Sequence, residues 1–95
     1  MIIQFVRLKS SLSEEELLNR AQERKPQFEA IPGLIQKYYV KIDDEGRYGG
    51  LYIWDSVESI QAFRASELAA SIPAAYEVVE KPQIELLNIM FQLRD

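Results

Sequence analysis

Three segments of this chain carry apolar side chains on both alternations, and no other feature constrains the fold as strongly. Over residues 2–8, Ile3 and Phe5 fall on one parity and Ile2, Val6 and Leu8 on the other. Leu51 and Ile53 oppose Tyr48, Tyr52 and Trp54 in the same way, and Leu87, Ile89, Phe91 and Leu93 oppose Leu86 and Met90. Successive side chains of a strand point to opposite faces of its sheet. An antiparallel sheet wetted on one side alternates apolar with polar residues instead. These segments therefore predict a sheet covered on both faces.

Turn and cap residues divide the chain into strand, helix, strand, strand, helical region and strand. Ser13 caps the first helix and Glu16 completes a capping box, with Leu12 and Leu17 at staple positions. Glu14, Glu15 and Glu16 set negative charge at the positive end of the helix dipole. Leu17, Leu18, Ala21 and Phe28 share one side at helical spacing, and Pro26 predicts a kink or an end. Gly33 opens a second strand over 34–42. Asp43-Asp44-Glu45-Gly46 reads as a turn closed by a left-handed Gly46 with a bulge, a simpler account of its acids than a cation loop. Such a turn sets Asp43 opposite Arg47 and Tyr38 opposite Tyr52. The third strand covers 48–54, where Gly49-Gly50 marks a bulge or a close backbone approach. Asp55 or Ser56 caps the next helix, whose apolar side is Val57, Ile60 and Phe63. Ser66 restarts a short helix that Pro73 interrupts, and Pro82 precedes a last strand over 83–93.

The order βαββαβ is the ferredoxin-like arrangement, α+β with a four-stranded antiparallel sheet. The chain's 95 residues make one domain, 1–95. Its two helical regions cover one face, which leaves the other apolar and open. Such a face is rare on a soluble monomer. The same face of a second copy is the simplest cover, so the expected assembly is a homodimer whose two sheets form a barrel.

The composition removes whole classes of function. With no Cys and no His, disulfides, thiol chemistry, zinc sites built on those residues, imidazole bases and haem ligation through His are all excluded. A net charge of −4 with no basic stripe argues against nucleic acid and against an anionic membrane surface. The apolar run after Met1 is short for a membrane span and lacks the basic start of a signal peptide, so the expectation is a cytoplasmic protein.

Two stretches carry a resemblance. Ile31-Pro32-Gly33-Leu34-Ile35-Gln36-Lys37 and Tyr48-Gly49-Gly50-Leu51-Tyr52-Ile53-Trp54-Asp55-Ser56 resemble the YdhR-type family of monooxygenases. Ala62-Phe63 and the terminal Pro-x-Ile strand fit the same pattern. The sharp part spans residues 31–56 and consists mostly of turn and strand-core positions. The resemblance implies a dimeric α+β barrel like that of the antibiotic-biosynthesis monooxygenases. Some of that wider group oxidise polycyclic aromatic or quinol-type molecules with oxygen and no metal or flavin. It therefore implies a cofactor-independent monooxygenase acting on a small aromatic molecule.

With that hairpin register, Tyr38, Tyr52 and Trp54 share a face beside Gln36 and Tyr48. Such a patch is either a wall for a flat ligand or plain packing. Phe63 is the main contact of the second helical region with the sheet, and Tyr76 is a lid or a core plug. Arg7, on the side of Ile3 and Phe5, either meets a phenolate or pairs with an acid at the sheet end. Asn88 either donates to a developing oxyanion or satisfies backbone. Arg7 and Asn88 are thus the candidate catalytic residues, and Tyr38, Tyr52, Trp54, Phe63 and Tyr76 the candidate binding residues. No metal or cofactor is expected. A dimeric binding or stress-response module without turnover is the rival reading, favoured by the lack of an obvious base.

Overall fold

The computed structural model describes residues 1–94. The elements run β1 (Ile2–Lys9), α1 (Glu14–Glu29), β2 (Leu34–Lys41), β3 (Arg47–Trp54), α2 (Val57–Arg64), α3 (Glu67–Ala75) and β4 (Gln83–Asn88). The four strands lie in the order β2-β3-β1-β4, and every neighbouring pair is antiparallel. This is the expected ferredoxin-like α+β arrangement, with the second helical region split into two helices.

Local signals explain the helix starts. Ser13, Ser56 and Ser66 each accept the backbone N–H three residues on, satisfying a donor the helix itself leaves free. For α2 the cap is therefore Ser56 rather than Asp55; the Asp55 carboxylate instead accepts from the Ser59 hydroxyl at 2.6 Å. Both prolines are absorbed. α1 continues past Pro26 to Glu29, because Phe28, in its last turn, is seated in the core against Phe63 with ring centres 6.1 Å apart. α3 likewise runs past Pro73 to Ala75, and the Pro73 carbonyl accepts the Val78 N–H at 2.9 Å.

Two strand expectations change, and the Gly49-Gly50 alternatives resolve to close approach. The β2–β3 register is displaced by one residue, so Lys37 lies opposite Tyr52 and Tyr38 opposite Leu51. The cause is in the turn: the Arg47 carbonyl accepts from both Ile42 and Asp43, so two residues of one strand oppose one of the other. A one-residue slip exchanges faces, which puts Tyr39 and Lys37 on the helix side of the sheet, Tyr39 still 41% exposed, and Tyr38 and Gln36 on the other. No bulge falls at Gly49-Gly50; the irregularity in this pair lies between Leu34 and Gln36. The glycines instead allow close approach: a Cβ on Gly49 would come 2.5 Å from Phe5 Cε1. The last strand ends at Asn88 rather than Leu93, and Met90, Phe91 and Leu93 are 94%, 79% and 84% exposed.

The core lies between the helices and one face of the sheet. Ile2, Tyr52 and Trp54 pack there with Phe28, Ile60 and Phe63. A second cluster joins Leu12, Leu17, Ala21 and Tyr76. Neither cluster contains Ile3, Phe5, Leu51 or Ile53 of the opposite face.

Candidate functional site

The two clusters do not close completely over the sheet. Between them lies a cavity of about 250 Å³, with Val6, Gly50 and Tyr52 as its floor and Phe63, Ile72 and Tyr76 on its helical side. Gly50 makes the room: a Cβ there would sit 3.0 Å from the Tyr52 ring and 3.1 Å from Lys37 Cε. Beyond Lys37 and Tyr39, a groove of about 600 Å³ runs between α1 and β2.

The floor is rigid. The Tyr52 and Trp54 rings stack with centres 5.9 Å apart and planes 8° from parallel. Phe63 meets both, at 5.8 and 5.5 Å. Trp54 is wholly buried and donates its indole N–H to Gln4 Oε1 at 2.9 Å. Tyr76 is fixed through its backbone: the Ser10 hydroxyl donates to its carbonyl, while Ser10 Oγ accepts the Leu12 N–H at 3.0 Å. Among the described residues neither the buried Tyr76 hydroxyl nor Arg24 Nε has a partner in good hydrogen-bond geometry, although the Arg24 guanidinium lies beside that hydroxyl.

Among the described residues Lys37 is the one amine in this aromatic lining. Its Nζ lies 3.8 Å from the centre of the Phe28 ring, 4.3 Å from Tyr39 and 4.4 Å from Tyr52. Ring faces attract a cation, but removal from water disfavours the charged form. Burial dominates and, with the positive charge of Arg24, lowers the Lys37 amine from 10.5 to about 7. Burial raises the three tyrosines: Tyr39 to about 12, and Tyr52 and Tyr76 above their ordinary value. At neutral pH these phenols stay protonated and are available as hydrogen-bond donors.

The candidate residues divide by face. Tyr52, Phe63 and Tyr76 line the cavity together. Trp54 lies beneath it as core, holding Tyr52 from behind. Tyr38 is on the opposite face and 53% exposed, as the corrected register requires. Arg7 is on that opposite face too, 4.4 Å over the Phe5 ring and 3.6 Å from Glu85. Asn88 lies at the end of β4, opposite Ile2, and is exposed. Arg7 and Asn88 therefore do not meet in the cavity. Sequence reasoning missed Lys37, Tyr39, Gln4 and Arg24. The register carries the signal for the first two, and a lone Gln among apolar strand residues was available for the third. Among the described residues no group of three or more Asp or Glu is placed to hold a metal. In the acidic turn, Asp43 is spent on the backbone N–H groups of Glu45 and Arg47 and on the Arg47 guanidinium.

Fold and cavity define a class: a small ferredoxin-like α+β domain with an aromatic pocket between its helices and its sheet. The solved structures it is similar to share its fold. One is a protein of unknown function from Nitrosomonas europaea, 20% identical, with a TM-score of 0.79 over 99% of this chain and 93% of that one. Another is a candidate antibiotic biosynthesis monooxygenase from the same organism, 12% identical, TM-score 0.77, over 96% of this chain and all of that one. A third is SnoaB, a cofactor-independent oxygenase from Streptomyces nogalater, 14% identical, TM-score 0.75, over 99% and 98% of the two chains. No family model and no curated protein matches the sequence. The likeness to antibiotic biosynthesis monooxygenases is one of fold.

Proposed function

We propose that this chain is a cofactor-independent monooxygenase acting on a small aromatic or quinol-type molecule, and that it works as a cytoplasmic homodimer. The observation that carries the reading is the cavity walled by Tyr39, Tyr52, Phe63 and Tyr76. It offers a flat apolar molecule ring faces on several sides and phenolic donors for its polar edge. Support comes also from the YdhR-type resemblance and from the fold shared with a cofactor-independent oxygenase.

The chemistry suits a protein that supplies only an environment. An anthrone-type substrate becomes electron-rich when it loses a proton, and its anion passes an electron to oxygen. One oxygen atom replaces two hydrogens on the ring carbon to give a carbonyl. The other oxygen leaves with those hydrogens as water, so no outside reductant is needed. The protein's part is positioning, donors for the substrate oxygen and exclusion of water.

The homodimer rests on what the fold leaves open. Phe5, Leu51, Ile53 and Leu87 lie on the face without helices, and Met90, Phe91 and Leu93 extend past the sheet with no cover. Burial contributes roughly 25 cal/mol per Å², and a two-fold axis lets one patch cover itself.

Oxygen uptake with a panel of anthrones and quinols, without added cofactor, tests the reading. A rate above the buffer control supports it. Quenching of Trp54 by the same compounds with no uptake would replace it with the binding module, which the absence of carboxylates from the cavity lining favours.

A further inference from the structure

We infer that the Lys37 amine takes the proton from a phenolic or enolic hydroxyl held in the cavity, and that the ammonium so formed is the counter-ion of the resulting anion. The inference rests on the proposed aromatic substrate and adds the base that reading lacks.

The surroundings of Lys37 single it out. Its Nζ is flanked by the Phe28, Tyr39 and Tyr52 rings, the residue is half-buried, and its side chain borders both the cavity and the groove between α1 and β2. A lysine at a protein surface ordinarily finds a carboxylate. Lys9 and Lys41 each do so here, with Glu80, and with Glu14 and Asp44. Among the described residues Lys37 has none within ion-pair distance.

The charged groups and burial-shifted tyrosines around the cavity come from several elements: Arg24 from α1, Arg64 from α2, Tyr39 from β2, Tyr52 from β3 and Tyr76 after α3. Gln4 from β1 has its carbonyl oxygen engaged by Trp54. An arginine is a cation at every relevant pH, and the tyrosines remain protonated. That leaves Lys37 as the only group of this set able to accept a proton near neutrality. A second cation nearby and a dry setting are the conditions under which a lysine serves as a base.

The step balances without a further reactant. The substrate O–H bond breaks, an N–H bond forms at Nζ, and the electron pair stays on oxygen. A neutral pair becomes a phenolate facing an ammonium. Separate buried charges would be costly, but a contact pair offsets that cost, and the tyrosine hydroxyls add donors.

The test uses a chromogenic phenol, 4-nitrophenol, with the full chain, at a pH below the phenol's own pKa. The free probe is then mostly neutral, and no turnover is required. The expected result is that the bound probe shows the phenolate spectrum on the unaltered protein. On Lys37→Met it shows the neutral phenol spectrum, with affinity at least tenfold weaker. A neutral spectrum on the unaltered protein overturns the inference alone and leaves the aromatic pocket standing. That spectrum needs no variant, so it decides even if Lys37→Met folds poorly. An unchanged phenolate spectrum on a folded Lys37→Met overturns it equally. Absence of binding at millimolar probe overturns the aromatic pocket together with the inference.

Discussion

Trp54 donates its indole N–H to the side-chain oxygen of Gln4 across adjacent strands, at 2.9 Å, and the two residues are 0% and 2% exposed. The bond joins β1 to β3 beneath the cavity and holds the Tyr52–Trp54 stack in place.

Gln4→Leu leaves that indole N–H unpaired in a dry setting, which costs about 1–3 kcal/mol. In urea unfolding the midpoint is expected to fall with the slope unchanged. A midpoint equal to that of the unaltered protein would show that the bond adds nothing.

Gly50→Val removes the space that defines the cavity, because its side chain would meet Tyr52 and Lys37. Binding of a flat aromatic probe, followed by quenching of Trp54, is expected to weaken at least tenfold. Overpacking lowers stability by about 1–3 kcal/mol as well, so circular dichroism should confirm the fold first.

Lys37 makes stability depend on pH. Its amine is lowered to about 7 when folded, against 10.5 ordinarily. Between these values the unfolded chain binds the proton and the folded chain does not, so stability rises with pH across that window. Below about pH 7 both states are protonated and the penalty of burying the charge is fully present. Lys37→Met is expected to remove the rise, and to be more stable than the unaltered protein at pH 6. Thermal unfolding from pH 6 to 10 checks both.

Ile53→Glu puts a charge on the face without helices, opposite Ile3 of the neighbouring strand. Light scattering at micromolar concentration is expected to give twice the chain mass for the unaltered protein and the single mass for the variant. A monomeric unaltered protein would remove the barrel from the account.

Most of the fold is legible in the sequence because its signals are local and agree with one another. Serine caps with acidic first turns start the helices, and two-sided apolar alternation marks β1 and β3. The failures have one physical source each. Local sterics make Pro26 a kink or an end and Pro73 an interruption, but α1 and α3 run past them, and tertiary packing holds the last turn of α1 through Phe28. The contribution of β2 to the site was illegible because it depends on one shared carbonyl. When Arg47 accepts from both Ile42 and Asp43, Tyr38 leaves the inner face while Lys37 and Tyr39 enter it. No rule of spacing distinguishes that turn from one with Asp43 paired to Arg47. Tyr52, Phe63 and Tyr76 were identifiable because none depends on that register.

The most direct measurement of the central claim is an anaerobic titration of the isotope-labelled protein with anthrone, followed by amide NMR. Excluding oxygen keeps the anthrone from being oxidised during the titration. The expected result is saturable shifts concentrated at Val6, Gly50, Tyr52, Phe63, Ile72 and Tyr76. Shifts confined to Phe5, Leu51 and Ile53 on the other face, or no shifts at saturating anthrone, would contradict it.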